Sequence, residues 1–217
     1  ISPDNILSYI PFEVIPVRQV PGENGLFSDI PYLMNEFRIS YTYSATLLSE
    51  SLRKDYSLTN SLIAFAPVYS GTINVDSILN TRQTRVSTLH DLQFARIEAE
   101  YVTALTGGKL YINNGARESV FKAEAAKYDI IHLAMHTVLN DQSPMYSKML
   151  FAQVKDSVED GNLNTYEVYG VPLNAKMVIL SSCNTGTGVL HSGEGILSLA
   201  RGFVYSGAPS AGSAAAA

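Results

Sequence analysis

The chain has 217 residues, of which 46% are hydrophobic and 16% charged, and its formal net charge is −5. This length and composition are enough to bury a sizeable core and exclude a disordered tail. The acidic balance and the lack of a lysine- or arginine-rich run argue against direct nucleic-acid binding, and no apolar run approaches the ~20 residues of a membrane span. With a single cysteine and no secretory signal, we expect a cytoplasmic protein without a membrane partner.

The two ends of the sequence suggest a piece of a longer polypeptide. The chain starts at Ile1 rather than at a methionine, and residues 207–217 are rich in alanine, glycine and serine. We expect residues 1–210 to form the folded domain. Residues 211–217 are expected to be a low-complexity tail, derived from a tag or standing for residues of unassigned identity.

In the first half of the chain, the patterns predict short strands and one helix. Residues 12–17 and 37–41 are β-branched or aromatic and predict strands, and residues 45–54 favour a helix. The short apolar run at 62–66 is typical of a buried strand. The polar stretch at 69–88 is long for a loop, which indicates a functional or mobile segment.

In the second half, helices and strands alternate more clearly. Apolar residues at helical spacing predict one helix ended by a glycine pair, a second helix leading into a strand, and a third helix near the end of the chain. They are Phe94, Ile97, Tyr101, Val102 and Leu105; Val120, Phe121, Ala125 and Tyr128; and Ile196, Leu199, Ala200 and Phe203. Strands are predicted at 109–112, 130–135 and 177–182, with an irregular stretch at 137–148 before a short apolar piece at 149–152. This alternation favours an α/β fold with a mostly parallel sheet covered on both faces.

Two of these strands end beside side chains that can carry nucleophilic chemistry. Cys183, the only cysteine, follows the apolar run at 177–180 and precedes a glycine-rich turn, and His136 follows the run at 130–135. If the two strands are parallel neighbours, the thiol and the imidazole emerge at the same carboxyl edge of the sheet. That arrangement is the one a Cys-His nucleophilic pair needs, although a cysteine at a strand end also packs in many cores.

Other chemistries fit the sequence less well. His132 and His136 are spaced as a metal pair would be on a helix, but they lie on a strand and its exit, so we expect no metal. The turn at 186–191 has histidine where a dinucleotide fingerprint needs its third glycine, and the chain contains neither a P-loop nor a serine-hydrolase elbow. No cofactor is expected. His90, which precedes a predicted helix, receives no role.

Three linked motifs in the same order resemble the CHAT family of caspase-like cysteine peptidases, relatives of caspases and separase. They are the runs IIHLAMH at 130–136, VILSSCNTG at 178–186 and GEGILSLARGF at 193–203. The likeness extends upstream through residues 39–44 and the helix that carries Glu98 and Glu100. It covers most of the chain.

The resemblance implies a caspase-like three-layer α/β/α sandwich and a cysteine endopeptidase acting on a protein substrate. Cys183 would be the nucleophile and His136 the general base or acid, with backbone N–H groups of Thr137 and Cys183 holding the oxyanion. His132, Ser182 and Glu194 are candidates for a supporting layer or the substrate pocket. An upstream helical-repeat or sensor module, or a regulatory protein, would gate the activity.

The sequence departs from this family in two places, and other functions stay open. Thr137 stands where a glycine usually follows the catalytic histidine, and residues 211–217 stand where the family has a strand ending in a Ser-Leu-Trp type motif. Substrate specificity is therefore unreadable. The main alternative is a catalytically silent caspase-like scaffold for protein–protein interaction, and a weaker one is an acyltransferase. We expect the segments 69–88 and 137–148 to move on activation.

Overall fold

The computed structural model describes residues 1–3, 7, 10–18, 26–53, 61–69, 90–140, 143–181 and 194–214. The side chains of 194–198 and 212–214 are left out of this description. The chain divides into two compact units, Ile1–Leu52 and Arg53–Ala217. No helix in the described ranges is long and apolar enough to cross a membrane.

The larger unit contains eight described strands and four described helices. The strands are β1 (Leu62–Ala66), β2 (Lys109–Ile112), β3 (Ile130–Ala134), β4 (Thr137–Val138), β5 (Lys148–Leu150), β6 (Asn162–Asn164), β7 (Met177–Ser181) and β8 (Ser210–Ala214). The α-helices of the smaller unit are α1 (Leu33–Glu36) and α2 (Ala45–Arg53). Those of the larger unit are α3 (Gln93–Thr106), α4 (Glu118–Glu124), α5 (Thr165–Val168) and α6 (Glu194–Tyr205). The strands and helices predicted for the second half of the chain are largely confirmed.

The main sheet has the order β2-β1-β3-β7-β8, and every neighbouring pair is parallel. β3 and β7 are direct neighbours in a register that pairs Ala134 with Ser181. The condition under which the thiol and the imidazole emerge at one edge, that these two strands are parallel neighbours, is therefore met. β8 runs into the segment that the sequence assigns to a tail, and it pairs with β7 along its whole length.

Side chains from alternate positions of β1 divide the core into two layers. Ile63 and Phe65 point into the larger cluster, where Phe65 meets Phe121 of α4 and Phe151 with ring centroids 5.7 and 5.8 Å apart. On the opposite face, small residues let α3 approach the sheet closely, and they are Ala64, Ala66, Ala95, Ala99 and Ala134. Helices therefore cover both faces of a mostly parallel sheet, as the α/β/α prediction requires.

The helix α3 has the predicted position but exposes most of the residues that marked it. It ends at Gly107, whose φ of +66° is a left-handed conformation that glycine adopts without a steric penalty. Its buried residues are Ala95, Ala99 and Thr103. The side chains of Phe94, Ile97, Tyr101 and Leu105 are 59 to 69% exposed. Helical spacing predicted the helix, while packing against the sheet selected the smaller residues.

A second, smaller sheet follows directly after His136. β4, β5 and β6 pair in that order and antiparallel, with Thr137 opposite Met149. The prediction of an irregular stretch at 137–148 is therefore wrong at both of its ends. Two-residue and three-residue strands are too short to give a readable alternation in sequence.

The predicted strands of the smaller unit are wrong. Phe12–Val14 forms a 3-10 turn, followed by a single antiparallel bridge between Pro16 and Tyr32, and residues 37–41 form no strand. Proline cannot donate to a strand ladder, which favours isolated turns here. The predicted helix at 45–54 is confirmed as α2, and most of the stretch at 69–88 lies outside the described residues.

Candidate active site

His136 lies at the carboxyl edge of the sheet, beside the strand that leads to Cys183. Ala134 and Ser181 are register partners at the ends of β3 and β7. His136 and Cys183 each come two residues after this pair in the chain. Cys183 and Ser182 lie outside the described residues, as does the side chain of Glu194, whose backbone begins α6.

A backbone carbonyl fixes the tautomer of His136. The side chain is buried, and its Nε2 atom lies 2.6 Å from the carbonyl oxygen of His90. Because a carbonyl only accepts hydrogen bonds, Nε2 must carry the hydrogen. The lone pair of the neutral ring is then on Nδ1, which is the basic nitrogen.

Burial keeps the His136 ring neutral. Desolvation lowers the pKa of His136 below its ordinary value, and the His90 hydrogen bond and the charge of Asp91 oppose this shift only in part. An imidazole that is neutral at pH 7 can accept a proton from a nearby acid. His136 thus has the protonation state that a general base needs.

Tyr69 contacts both the backbone and the ring of His136. Its hydroxyl oxygen lies 3.1 Å from the His136 backbone nitrogen, and the hydroxyl donates to the Leu150 carbonyl. The two ring centroids are 4.7 Å apart. No sequence signal identified Tyr69 or the His90 carbonyl, because a main-chain acceptor has no residue signature and Tyr69 is distant in sequence.

The backbone N–H of Thr137 points away from β5. The N–H of Leu150 donates to the His136 carbonyl at 2.9 Å, which makes His136 and Leu150 the hydrogen-bonding positions of this antiparallel pair. Hydrogen-bonding and non-hydrogen-bonding positions alternate, so Thr137 and Met149 form the other type of pair. The orientation of this N–H is compatible with its predicted role as an oxyanion donor.

His132 lies on the opposite side of β3 from the main core, facing α3. Its Nε2 atom is 3.1 Å from Oε1 of Glu98. Oε2 of Glu98 accepts a hydrogen bond from the Ser181 hydroxyl at 2.8 Å. Burial lowers the pKa of His132, and Glu98 counteracts the shift. Glu98 therefore links β3 to the end of β7, two residues before Cys183. We call His132, His136 and their partners Glu98 and the His90 carbonyl the histidine edge.

A second group of charges is buried away from this edge. The Nζ atom of Lys122 lies 2.7 Å from Glu118, 2.8 Å from Glu159 and 2.9 Å from Glu167, measured to one carboxylate oxygen of each. Among the described residues these three glutamates have the spacing of a metal site, but the ammonium of Lys122 already lies among them. We call these four residues the Lys122 cluster. Neither histidine belongs to it.

The fold and the site together indicate the structural class of the protein. A parallel sheet with helices on both faces, a histidine at its carboxyl edge and the sole cysteine two residues beyond the neighbouring strand are the arrangement of a caspase-like α/β protein. The family model of the CHAT domain matches residues 1–214, so the chain belongs to the CHAT family, which is a family of caspase-like peptidases. No curated protein matches the chain.

Proposed function

We propose that this chain is a cysteine endopeptidase in which Cys183 and His136 form a catalytic dyad. The Cys183 sulfur attacks the carbonyl carbon of a peptide bond while Nδ1 of His136 takes the thiol proton. The imidazolium then gives this proton to the leaving amine as the C–N bond breaks, which leaves an acyl-enzyme. Water, deprotonated by the same nitrogen, hydrolyses the thioester and restores the thiol.

The observation that carries this proposal is the state of His136. Its ring is buried and neutral, its Nε2–H is held by the His90 carbonyl at 2.6 Å, and it lies at the edge where β7 leads to Cys183. This hydrogen bond makes Nδ1 the basic nitrogen of the ring, as a general base toward a thiol requires. Membership of a caspase-like peptidase family supports the same assignment.

Two backbone N–H groups are proposed to hold the oxyanion of the tetrahedral intermediate. One is the N–H of Thr137, which points away from β5, and the other is the N–H of Cys183 itself. Loss of one such donor typically costs ~10²–10³ in turnover. The threonine side chain, buried where the family usually has glycine, narrows this part of the site.

The setting of this activity is part of the proposal. The substrate is a protein, and a partner or a sensor module gates its access to the dyad. A reducing compartment such as the cytoplasm suits a single unpaired thiol, because oxidation would block the nucleophile.

The first experiment measures how fast iodoacetamide alkylates Cys183 as a function of pH. In the native protein we expect alkylation well below the free-thiol pKa of ~8.5, and in His136→Ala we expect the profile to return to that value. The chain has one cysteine, so Cys183→Ser gives the background. If both proteins are folded and their alkylation profiles coincide, the dyad is overturned. The hypothesis of a catalytically silent scaffold would then be the better supported one.

A second measurement separates peptidase from acyl-transfer activity. The native protein is incubated with a peptide library, and new amino termini are identified by mass spectrometry. We expect cleavage products that are absent with Cys183→Ser and reduced by ~10²–10⁴-fold with His136→Ala. In a parallel incubation that also contains an acyl thioester as donor, acylated peptides with release of the thiol and without peptide cleavage would instead support an acyltransferase.

A further inference from the structure

Tyr69 is a buried residue whose hydroxyl group lies between His136 and Leu150. The hydroxyl accepts a hydrogen bond from the His136 N–H, with 3.1 Å between nitrogen and oxygen. It donates to the Leu150 carbonyl, with 2.5 Å between the two oxygens. Because a hydroxyl is both donor and acceptor, it satisfies two backbone groups that phenylalanine would leave unpaired.

This hydroxyl replaces a direct bond between the two strands of the small sheet. In a regular antiparallel pair, His136 and Leu150 would exchange two backbone hydrogen bonds. One is direct, from the Leu150 N–H to the His136 carbonyl at 2.9 Å, and the hydroxyl of Tyr69 bridges the other. The inserted group therefore opens the ladder at His136, and β4 begins only at Thr137.

Tyr69 also contacts the imidazole ring of His136. The two rings lie with their centroids 4.7 Å apart and their planes tilted by 49°. Tyr69 follows β1 by three residues, and β1 and β7 lie on opposite sides of β3. The ring of His136 is thus in contact with Tyr69 from the β1 side, while the strand that leads to Cys183 is on the other.

The hydroxyl itself remains protonated. Burial raises the pKa of Tyr69 far above its ordinary value, and the negative charge of Asp91 adds to the shift. Tyr69 consequently takes no part in proton transfer and acts only through its contacts.

We propose that Tyr69 is a positioning residue, which sets the backbone and the ring plane of His136 for proton exchange with Cys183. This inference rests on the proposed function. It assigns to Tyr69 the orientation of the histidine, as distinct from the choice of tautomer, which belongs to the His90 carbonyl.

The test compares Tyr69→Phe with the native protein, using Tyr205→Phe as the matched control because Tyr205 is exposed and distant in sequence from both His136 and Cys183. We expect Tyr69→Phe to lower the rate of Cys183 alkylation at pH 7 about 10- to 100-fold, because small misplacements of a catalytic group have effects of this size. Its pH profile should move toward that of His136→Ala. In nitrogen-15 NMR, the titration midpoint of the His136 ring should also shift.

The outcomes separate this inference from the function on which it rests. If alkylation depends on His136 but Tyr69→Phe behaves like Tyr205→Phe, the role of Tyr69 is overturned and the dyad stands. If native alkylation does not depend on His136, the dyad fails, and an unchanged His136 titration in Tyr69→Phe would overturn the positioning role as well. If Tyr69→Phe does not fold, the hydrogen-bond bridge through Tyr69 is tested by NMR of the native protein instead. A slowly exchanging Tyr69 hydroxyl proton with cross-relaxation to the His136 amide supports the bridge, and its absence contradicts it.

Discussion

The histidine edge and the Lys122 cluster are both buried polar regions, but they carry charge in opposite ways. In the Lys122 cluster one ammonium contacts three carboxylates, so opposite charges hold each other. At the histidine edge the rings of His132 and His136 are kept neutral by burial. A paired buried charge resists change, whereas a neutral buried imidazole can take up a proton. The first region is therefore suited to holding opposite charges in place, and the second to proton transfer.

Glu118 of the Lys122 cluster and the two histidines respond to pH with opposite sign. A histidine whose folded pKa is lowered binds its proton more readily in the unfolded chain, so stability is lost as pH falls below the ordinary value of 6.5. Burial raises the pKa of Glu118 to about 7 even though Lys122 opposes the shift, so its protonated form is favoured in the folded chain. Stability from this group is therefore lost as pH rises above 4.5.

The largest effect is expected from Lys122→Met, which leaves three carboxylates without their cation. Breaking a buried ion pair on one side typically costs ~3–5 kcal/mol in the free energy of unfolding. Urea denaturation at pH 7 measures this change in the free energy of unfolding. Lys127→Met is the control, since its side chain is 61% exposed against 23% for Lys122 and its pair with Glu124 lies at the surface. Equal losses in the two variants would mean that the cluster contributes no more than a surface pair.

A smaller effect is expected from Glu118→Gln, and it concerns the slope of stability against pH. Between pH 4.5 and about 7 the native protein should lose up to ~1.4 kcal/mol per pH unit through this group, and the variant should not. Denaturation curves at half-unit steps of pH measure the difference. Glu100→Gln, on the exposed side of α3, serves as the comparison. Parallel curves for native protein and Glu118→Gln would show that the pKa of Glu118 is the same in the folded and unfolded chains.

The smallest effect on stability is expected from Glu98→Gln at the histidine edge. The amide oxygen can still accept from the Ser181 hydroxyl, and the carboxylate it replaces is 36% exposed, so the free energy of unfolding should change by less than ~1 kcal/mol. The pKa of His132 should fall further, because the charge that opposes desolvation is gone. An NMR titration of His132 checks this, again with Glu100→Gln beside it. A rise in the His132 pKa would contradict the assigned contact.

Four strands show how much of the main sheet could be predicted from the sequence. They are residues 62–66, 109–112, 130–134 and 177–181. Each is a short run of apolar residues, and together they alternate with helical patterns that place connections on both faces. This alternation predicted a mostly parallel sheet, and the structure then shows that β3 and β7 are parallel neighbours in it. Cys183 could be placed only relative to the end of β7.

The predictions failed where local pattern and tertiary packing disagree. The large apolar residues of α3 marked a helix, but the sheet accepts only Ala95 and Ala99 against Ala64 and Ala66, since these allow close approach. The strands β4, β5 and β6 were missed because two or three residues carry no period. In the smaller unit, proline and short runs produced turns in place of strands.

By itself, the sequence determined the α/β class, the positions of β1, β2, β3 and β7 along the chain and the two residue types that an acyl-transfer dyad requires. These follow from hydrophobic periodicity and from the chemistry of thiol and imidazole, both of which are local properties. Only the tertiary structure decided which groups surround His136. The His90 carbonyl, the Tyr69 hydroxyl and the burial that keeps the ring neutral come from residues 46 and 67 positions away and from the packing around it. Electrostatics depends on distance in space, so these contacts exist only in the folded chain.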